Sequence, residues 1–213
     1  MIYQTKGKKM KHICIGAIIG ALVLGASPAS AAANLIINGD FTNPVVDSWG
    51  TFANIPGWIN ANGDDVEIGT NGTYGLPTTG SGFSLEVNAN TFGDIVQTVS
   101  GLAPGKRYTI GWSYAGRDGG GPQAMDVSFG GNLLTTNTGS FGAWTLNSFS
   151  VVAIATTEVL EFKSLFTGGD PSYGNEIASV SVTAIPEPSV WLMMLMGFAS
   201  LGFIGSLRKP ALT

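Results

Sequence analysis

From Tyr108 to Ala115 the chain alternates large apolar residues with small or polar ones without a break. Tyr108, Ile110, Trp112 and Tyr114 face one way; Thr109, Gly111, Ser113 and Ala115 face the other. Successive side chains of an extended strand point to opposite faces, so this run is a half-buried strand and cannot be an amphipathic helix. The same period recurs at Phe83, Leu85 and Val87, and further strand-forming runs lie at 66–68, 95–99, 125–129, 133–134, 144–154, 158–163 and 176–184. Turn residues such as Pro104-Gly105, Gly130-Gly131-Asn132 and Gly168-Gly169-Asp170-Pro171 divide these runs about every ten positions, the spacing of a sandwich or barrel. Residues 34–41 are expected to form a strand closed by an Asn38-Gly39 reversal. Residues 50–82, dense in Gly, Asn, Thr and Pro, are expected to be loops packed onto the sandwich through Trp58 and Tyr74. Helical periodicity is missing from 34–184, and the expected fold is all-β, a single β-sandwich.

Both ends of the chain carry a different pattern. Lys6, Lys8, Lys9 and Lys11 precede an apolar run at 13–25 and the small residues Ala29-Ser30-Ala31, the layout of a secretory signal peptide, here 1–33. Signal peptidase is its implied partner. At the other end Pro186-Glu187-Pro188 opens a tail, 185–213, that contains a charge-free block at 190–207 and closes on Arg208-Lys209. As a helix this block would cover ~27 Å, close to the ~30 Å hydrocarbon core of a bilayer. It is expected to be a transmembrane helix, with Trp191 at one interface and Arg208 and Lys209 on the cytoplasmic side.

Charge and composition of the part between these ends remove whole classes of function. Lys106, Arg107, Arg117 and Lys163 are its only cations, against thirteen acids. Such a surface repels phosphate, so nucleic acid is not an expected partner. The only His and the only Cys, His12 and Cys14, lie in the signal segment. The remainder therefore contains no disulfide, no Ser-His-Asp or Cys-His catalytic set and no zinc site of the usual ligands.

The tail resembles the PEP-CTERM sorting signal: Pro186, Glu187 and Pro188, then the apolar span, then Arg208 and Lys209. That resemblance implies an exosortase as partner and transient or permanent attachment to the inner membrane, with delivery to the cell surface or the extracellular polysaccharide matrix. The central region shows a second resemblance. Residues 34–41, Pro56-Gly57-Trp58, 95–99, 108–117, 160–162 and 177–182 occur in the order seen in the galactose-binding-like jelly rolls of plant cell-wall and bacterial surface proteins. This implies a jelly-roll sandwich over 34–184 and a non-catalytic glycan-binding or adhesion role. Relatives of that kind often carry two carboxylates near a structural calcium; here those positions are Thr42 and Ala178, with Asp40 and Glu176 close by in sequence.

Four residues are candidates for touching a glycan, with Trp49 as a further aromatic of the same kind. Trp58, Tyr74 and Tyr173 lie in expected loops and offer an apolar ring with a polar edge, as does Trp49. Arg117 follows the clearest strand and can either fork onto sugar hydroxyls or a uronate, or pair with Asp118, Asp126 or another acid. Trp112 and Trp144 are expected in the core. Asp64, Asp65 and Glu67 form an oxygen-rich loop that could hold calcium, the one cofactor the sequence suggests. Two other roles stay open: a structural surface protein without glycan binding, and a glycosidase or lyase using carboxylates alone.

Overall fold

The computed structural model describes residues 32–139, 141–186 and 196–200. Eleven strands follow one another: β1 Trp49–Phe52, β2 Ile59–Asn60, β3 Val66–Thr70, β4 Phe83–Glu86, β5 Asp94–Ser100, β6 Arg107–Gly116, β7 Ala124–Phe129, β8 Asn132–Thr138, β9 Thr145–Val152, β10 Thr157–Leu165 and β11 Asn175–Ala184. They form two antiparallel sheets, one ordered β1-β3-β4-β11-β6-β9 and the other β2-β5-β10-β7-β8. The expectation of an all-β sandwich is met.

Alternation decides which side chains lie between the sheets. Tyr108, Ile110, Trp112 and Tyr114 of β6 point inward with Leu85 of β4 and Ile177, Val180 and Val182 of β11. Ile95 and Val99 of β5, Met125 and Val127 of β7, and Leu160 and Phe162 of β10 meet them from the other sheet. Burying such side chains away from water is the main favourable term in folding a chain that has no disulfide in this region. β11 is bulged between Ala178 and Ser181, which lets residue 180 join the core as well.

The entering segment differs from its expected strand. Residues 37–40 form a turn, and only Asn34 bridges Thr183. The reason is the Asn34 side chain, whose oxygen accepts from the Ile36 and Val182 amides while its amide donates to the Val180 carbonyl. A side chain that ties up neighbouring backbone groups replaces the ladder. Nor does Gly39 supply the positive φ of the reversal, which falls on Asn38 at 52°. Gly39 is needed for closeness instead, because a Cβ there would lie 2.1 Å from the Val180 carbonyl oxygen. β1 and β2 are too short and too glycine-bordered to stand out in the sequence.

Glu187, Pro188, Arg208 and Lys209 lie outside the described residues, as does the signal segment apart from its last two positions. Pro186 is exposed. Residues 196–200, within the span expected at 190–207, are helical. Among the described residues no helix is long and apolar enough to cross a membrane.

Candidate functional site

The outer face of the six-stranded sheet carries three glutamates in register. Glu67 of β3 stands opposite Glu86 of β4, and Glu86 stands opposite Glu176 of β11. Their neighbours Val66, Ile68, Leu85, Val87 and Ile177 fill the core, so strict alternation sends all three carboxyls the other way. Like charges directly opposite across strands are destabilising. All three are nevertheless buried, Glu86 and Glu176 completely.

A roof over this face explains the burial. The turn after β3 lays Tyr74 on the sheet, where its hydroxyl donates to Glu67 Oε1 at 3.1 Å. Gly69 makes room for the ring: a Cβ there would sit 2.5 Å from the Tyr74 hydroxyl. Leu76, Ala115 and Trp144 join Tyr74 in a small second apolar cluster, and Trp144 Nε1 donates to the Pro77 carbonyl at 2.7 Å. Arg117, just past β6, donates from Nη1 to Glu86 Oε2 at 2.8 Å, while the Gly174 amide donates to Glu86 Oε1 at 2.6 Å. Neither carboxyl oxygen of Glu176 has a hydrogen-bond partner.

Burial sets the protonation of this cluster. It pushes Glu86 up to about 7, with Glu67 adding to the rise and Arg117 opposing it. Burial and the neighbouring Glu86 hold Glu176 well above the ordinary carboxylate range. Burial also raises Tyr74, helped by Glu176, Glu67 and Glu86. For Arg117 burial works against the charge, but Glu86 outweighs it and the guanidinium is held more firmly protonated. The row thus stores protons in place of a full set of negative charges.

Arg117 is also the centre of an aromatic stack. Its guanidinium carbon lies 5.0 Å from the Tyr74 ring centroid and 4.6 Å from that of Tyr173. Both distances are within the range of cation–π attraction. The Tyr173 loop is fixed from inside the sandwich. Gln123 Nε2 donates to the Tyr173 carbonyl, and Asn175 Nδ2 reaches Ser164 Oγ at 2.9 Å and the Ala124 carbonyl at 3.1 Å. Beside the stack opens a cavity of about 250 Å³, lined by Trp49, Glu67, Thr73, Tyr74, Asn90, Arg117, Ser172 and Tyr173. Trp49 is 56% exposed and Tyr173 38%, so both present ring surface to a ligand. A larger, mostly apolar cavity of about 630 Å³ lies beyond the 118–121 turn, with Phe141 at its edge and Asp118 as its one charged lining residue.

Three of the four residues singled out for glycan contact therefore meet: Tyr74, Arg117 and Tyr173, with Trp49 beside them. Trp58 does not. The Ile55–Trp58 bridge closes a turn that drives the indole into the core against Phe41 and Phe162, where Nε1 donates to the Asn38 carbonyl at 3.1 Å. Arg117 pairs with Glu86, an acid from a distant strand, in place of Asp118 or Asp126.

The expected acidic loop also comes apart. Glu67 turns to Tyr74, Asp64 accepts from Thr91 Oγ1 at 2.8 Å, and Asp65 is exposed. No group of three or more His, Cys, Asp or Glu among the described residues is arranged to hold a metal. Near the bulge, Asp40 accepts from Thr42 Oγ1 at 3.2 Å, and Glu176 faces Glu86. Glu86 is not among the residues that the sequence singles out, and Glu176 stands out there only beside the calcium position of the resembling family. The available signal was a lone Glu beside core residues in three separate strands: Val66-Glu67-Ile68, Leu85-Glu86-Val87 and Glu176-Ile177.

No protein-family model matches the chain. Among curated proteins it is similar to halomucin of Haloquadratum walsbyi, 29% identical over 181 residues that make up 80% of this chain and 2% of that protein. The multifunctional-autoprocessing repeats-in-toxin of Vibrio vulnificus is 26% identical over 152 residues, 70% of this chain and 3% of the toxin. The chain thus spans only a few hundredths of the length of the curated relatives it matches. Among solved structures it is similar to TmCBM61 in complex with β-1,4-galactotriose, with TM-score 0.48 and 16% identity over 72% of this chain and all of the other. The CBM22-1 xylan-binding domain from Paenibacillus barcinonensis Xyn10C gives TM-score 0.46 and 11% identity, over 75% of this chain and 99% of that one. Likeness at this level carries no ligand or site residue across.

Proposed function

We propose that this chain is an exported, non-catalytic glycan-binding module that holds a sugar in the cavity beside Arg117. The observation that carries the reading is the Arg117 guanidinium within cation–π distance of both Tyr74 and Tyr173, with Trp49 on the same concave surface. Exposed aromatic faces take the apolar side of a pyranose, and a fixed guanidinium and amide supply donors for its hydroxyls. Two opposed carboxylates across a substrate are what glycoside hydrolysis needs. Here the acids stand side by side on one sheet face beneath a roof, and Glu67 is the only acid that lines the cavity. That supports binding over turnover.

A glycan array that includes β-1,4-galactotriose and xylan, the sugars named with the similar structures, tests this on the full chain. Binding should be lost in Tyr173→Ala and Trp49→Ala and kept in a substitution at the far rim such as Asn132→Ala. Equal binding by all four proteins would refute the site.

Delivery belongs to the same proposal. The segment 1–33 directs export, and the Pro186-Glu187-Pro188 tail with its apolar span is processed by an exosortase at the inner membrane, leaving the module at the cell surface or in the matrix. The mass and cellular fraction of the protein in its host, with and without the exosortase, test it. An intact C-terminus in the inner membrane in both backgrounds would make the tail a plain anchor.

A further inference from the structure

We infer that the glycan taken by the Arg117 cavity is one whose sugars carry free, protonated amines, and not a uronate or sulfated polymer. The inference rests on the reading of this cavity as a glycan site and adds the chemical class. A lone arginine at a rim would suggest an anionic sugar, but the guanidinium here is already paired with an acid, Glu86. Its Nη1 is bonded to Glu86 Oε2 at 2.8 Å, and its guanidinium carbon lies 5.0 Å and 4.6 Å from the ring centroids of Tyr74 and Tyr173. No lysine and no second arginine lines the cavity.

The surroundings favour positive charge. Glu67 is part of the cavity wall, with Glu86 next to it in register and Glu176 beyond, the last completely buried with both oxygens unpartnered. Burial holds Glu86 and Glu176 toward their protonated forms, so Glu67, the one acid of the cavity wall, is the carboxylate that a bound amine would meet. The exposed rings of Trp49 and Tyr173 present the negative face of their quadrupoles, which attracts an ammonium and repels a carboxylate. At longer range the excess of thirteen acids over four cations in 32–185 draws in a polycation. A uronate in the cavity would sit beside Glu67 with no free cation to neutralise it.

The test uses the purified full chain and three sets of oligomers: glucosamine with free amines, the N-acetylated counterpart, and galacturonate. Binding is measured at mildly acidic pH, where the amines are charged. The free-amine oligomer should bind about tenfold or more tightly than the acetylated one, a difference of ~1.4 kcal/mol, and the margin should shrink as salt is raised. Glu67→Gln keeps an acceptor for the Tyr74 hydroxyl, and it should remove the margin while leaving weak binding of the acetylated oligomer. Tyr173→Ala should abolish both.

Equal binding of the amine and acetylated oligomers, lost in Tyr173→Ala, would overturn the amine class and leave the glycan site standing. Preferred binding of galacturonate would do the same. Amine binding that survives Tyr173→Ala and Trp49→Ala is attraction to the acidic surface at large, and would overturn the placement. Binding of no oligomer of any kind would overturn the class and the glycan reading together.

Discussion

The buried carboxyl row should make this protein less stable as the pH rises through neutrality. Glu86 is pushed up from 4.5 to about 7 by burial and by Glu67, and Glu176 is raised as well, by burial and by Glu86. Asp94, on the other sheet, is raised too, first by burial and then by Glu161. The folded chain keeps protons that the unfolded chain releases at ordinary carboxylate pH. Stability from a raised group is complete below the unfolded value and is lost as pH climbs through the folded one. For Glu86 that window runs from about 4.5 to about 7. A change of that size is worth about 3 kcal/mol from Glu86 alone, at ~1.36 kcal/mol for each pH decade. Glu176 and Asp94 act in the same direction. In a domain of this length about 3 kcal/mol lowers Tm by roughly 6–12 °C. Urea and thermal unfolding at about pH 5 and about pH 8 would read the difference, with the lower stability expected at the higher pH. In Glu176→Gln the side chain is isosteric and uncharged, and it loses no hydrogen bond because the native oxygens make none. The gap between the two pH values should narrow. Stability equal or greater at about pH 8 in the parent protein would refute the account of the row as a store of protons.

Trp58 and Trp49 should separate cleanly. Trp58→Ala empties a fully buried site between Phe41 and Phe162 and should cost about 3–5 kcal/mol, whereas the exposed Trp49 should change unfolding by no more than ~0.5 kcal/mol. Denaturant melts of the two variants decide it. Gly69→Ala should lift Tyr74 off the sheet, lowering stability by about 1–3 kcal/mol and exposing a tyrosine whose fluorescence quenching by acrylamide then increases. Tyr74→Phe removes the hydroxyl that Glu67 accepts from and should cost about 1 kcal/mol, with the aromatic stack on Arg117 left in place.

How far the sequence speaks can be judged from single elements. The alternation at 108–115 becomes β6, because a strand paired on both sides within a sandwich must present one apolar face to the other sheet. At 132–138 the edge strand β8 carries the run Thr135-Thr136-Asn137-Thr138, polar on both faces, and only its first two apolar residues announce it. Trp58 reads as a loop residue because Pro56-Gly57 sits before it. Its burial depends on the direction in which that turn delivers the ring, which composition does not encode. The candidate site shows the same division. Tyr74, Arg117 and Tyr173 could be named one by one from chemistry. Their meeting with Glu86 and Glu176 depends on strand register between segments far apart in the chain. Each glutamate occupies a position that alternation assigns to solvent; the roof formed by Tyr74 and Arg117 is what buries them, and roofs are tertiary.

Asn34 is bridged to Thr183, so a chain entering the sandwich and a chain leaving it pass side by side. β11 runs from that point to Glu176 in the carboxyl row, a distance of about 23 Å at ~3.3 Å per residue. The entering and leaving segments therefore lie together near one end of β11, and the carboxyl row lies near its other end. Such a body can be threaded into a much longer polypeptide, or held on a short stem, without the carrier crossing the mouth of the site.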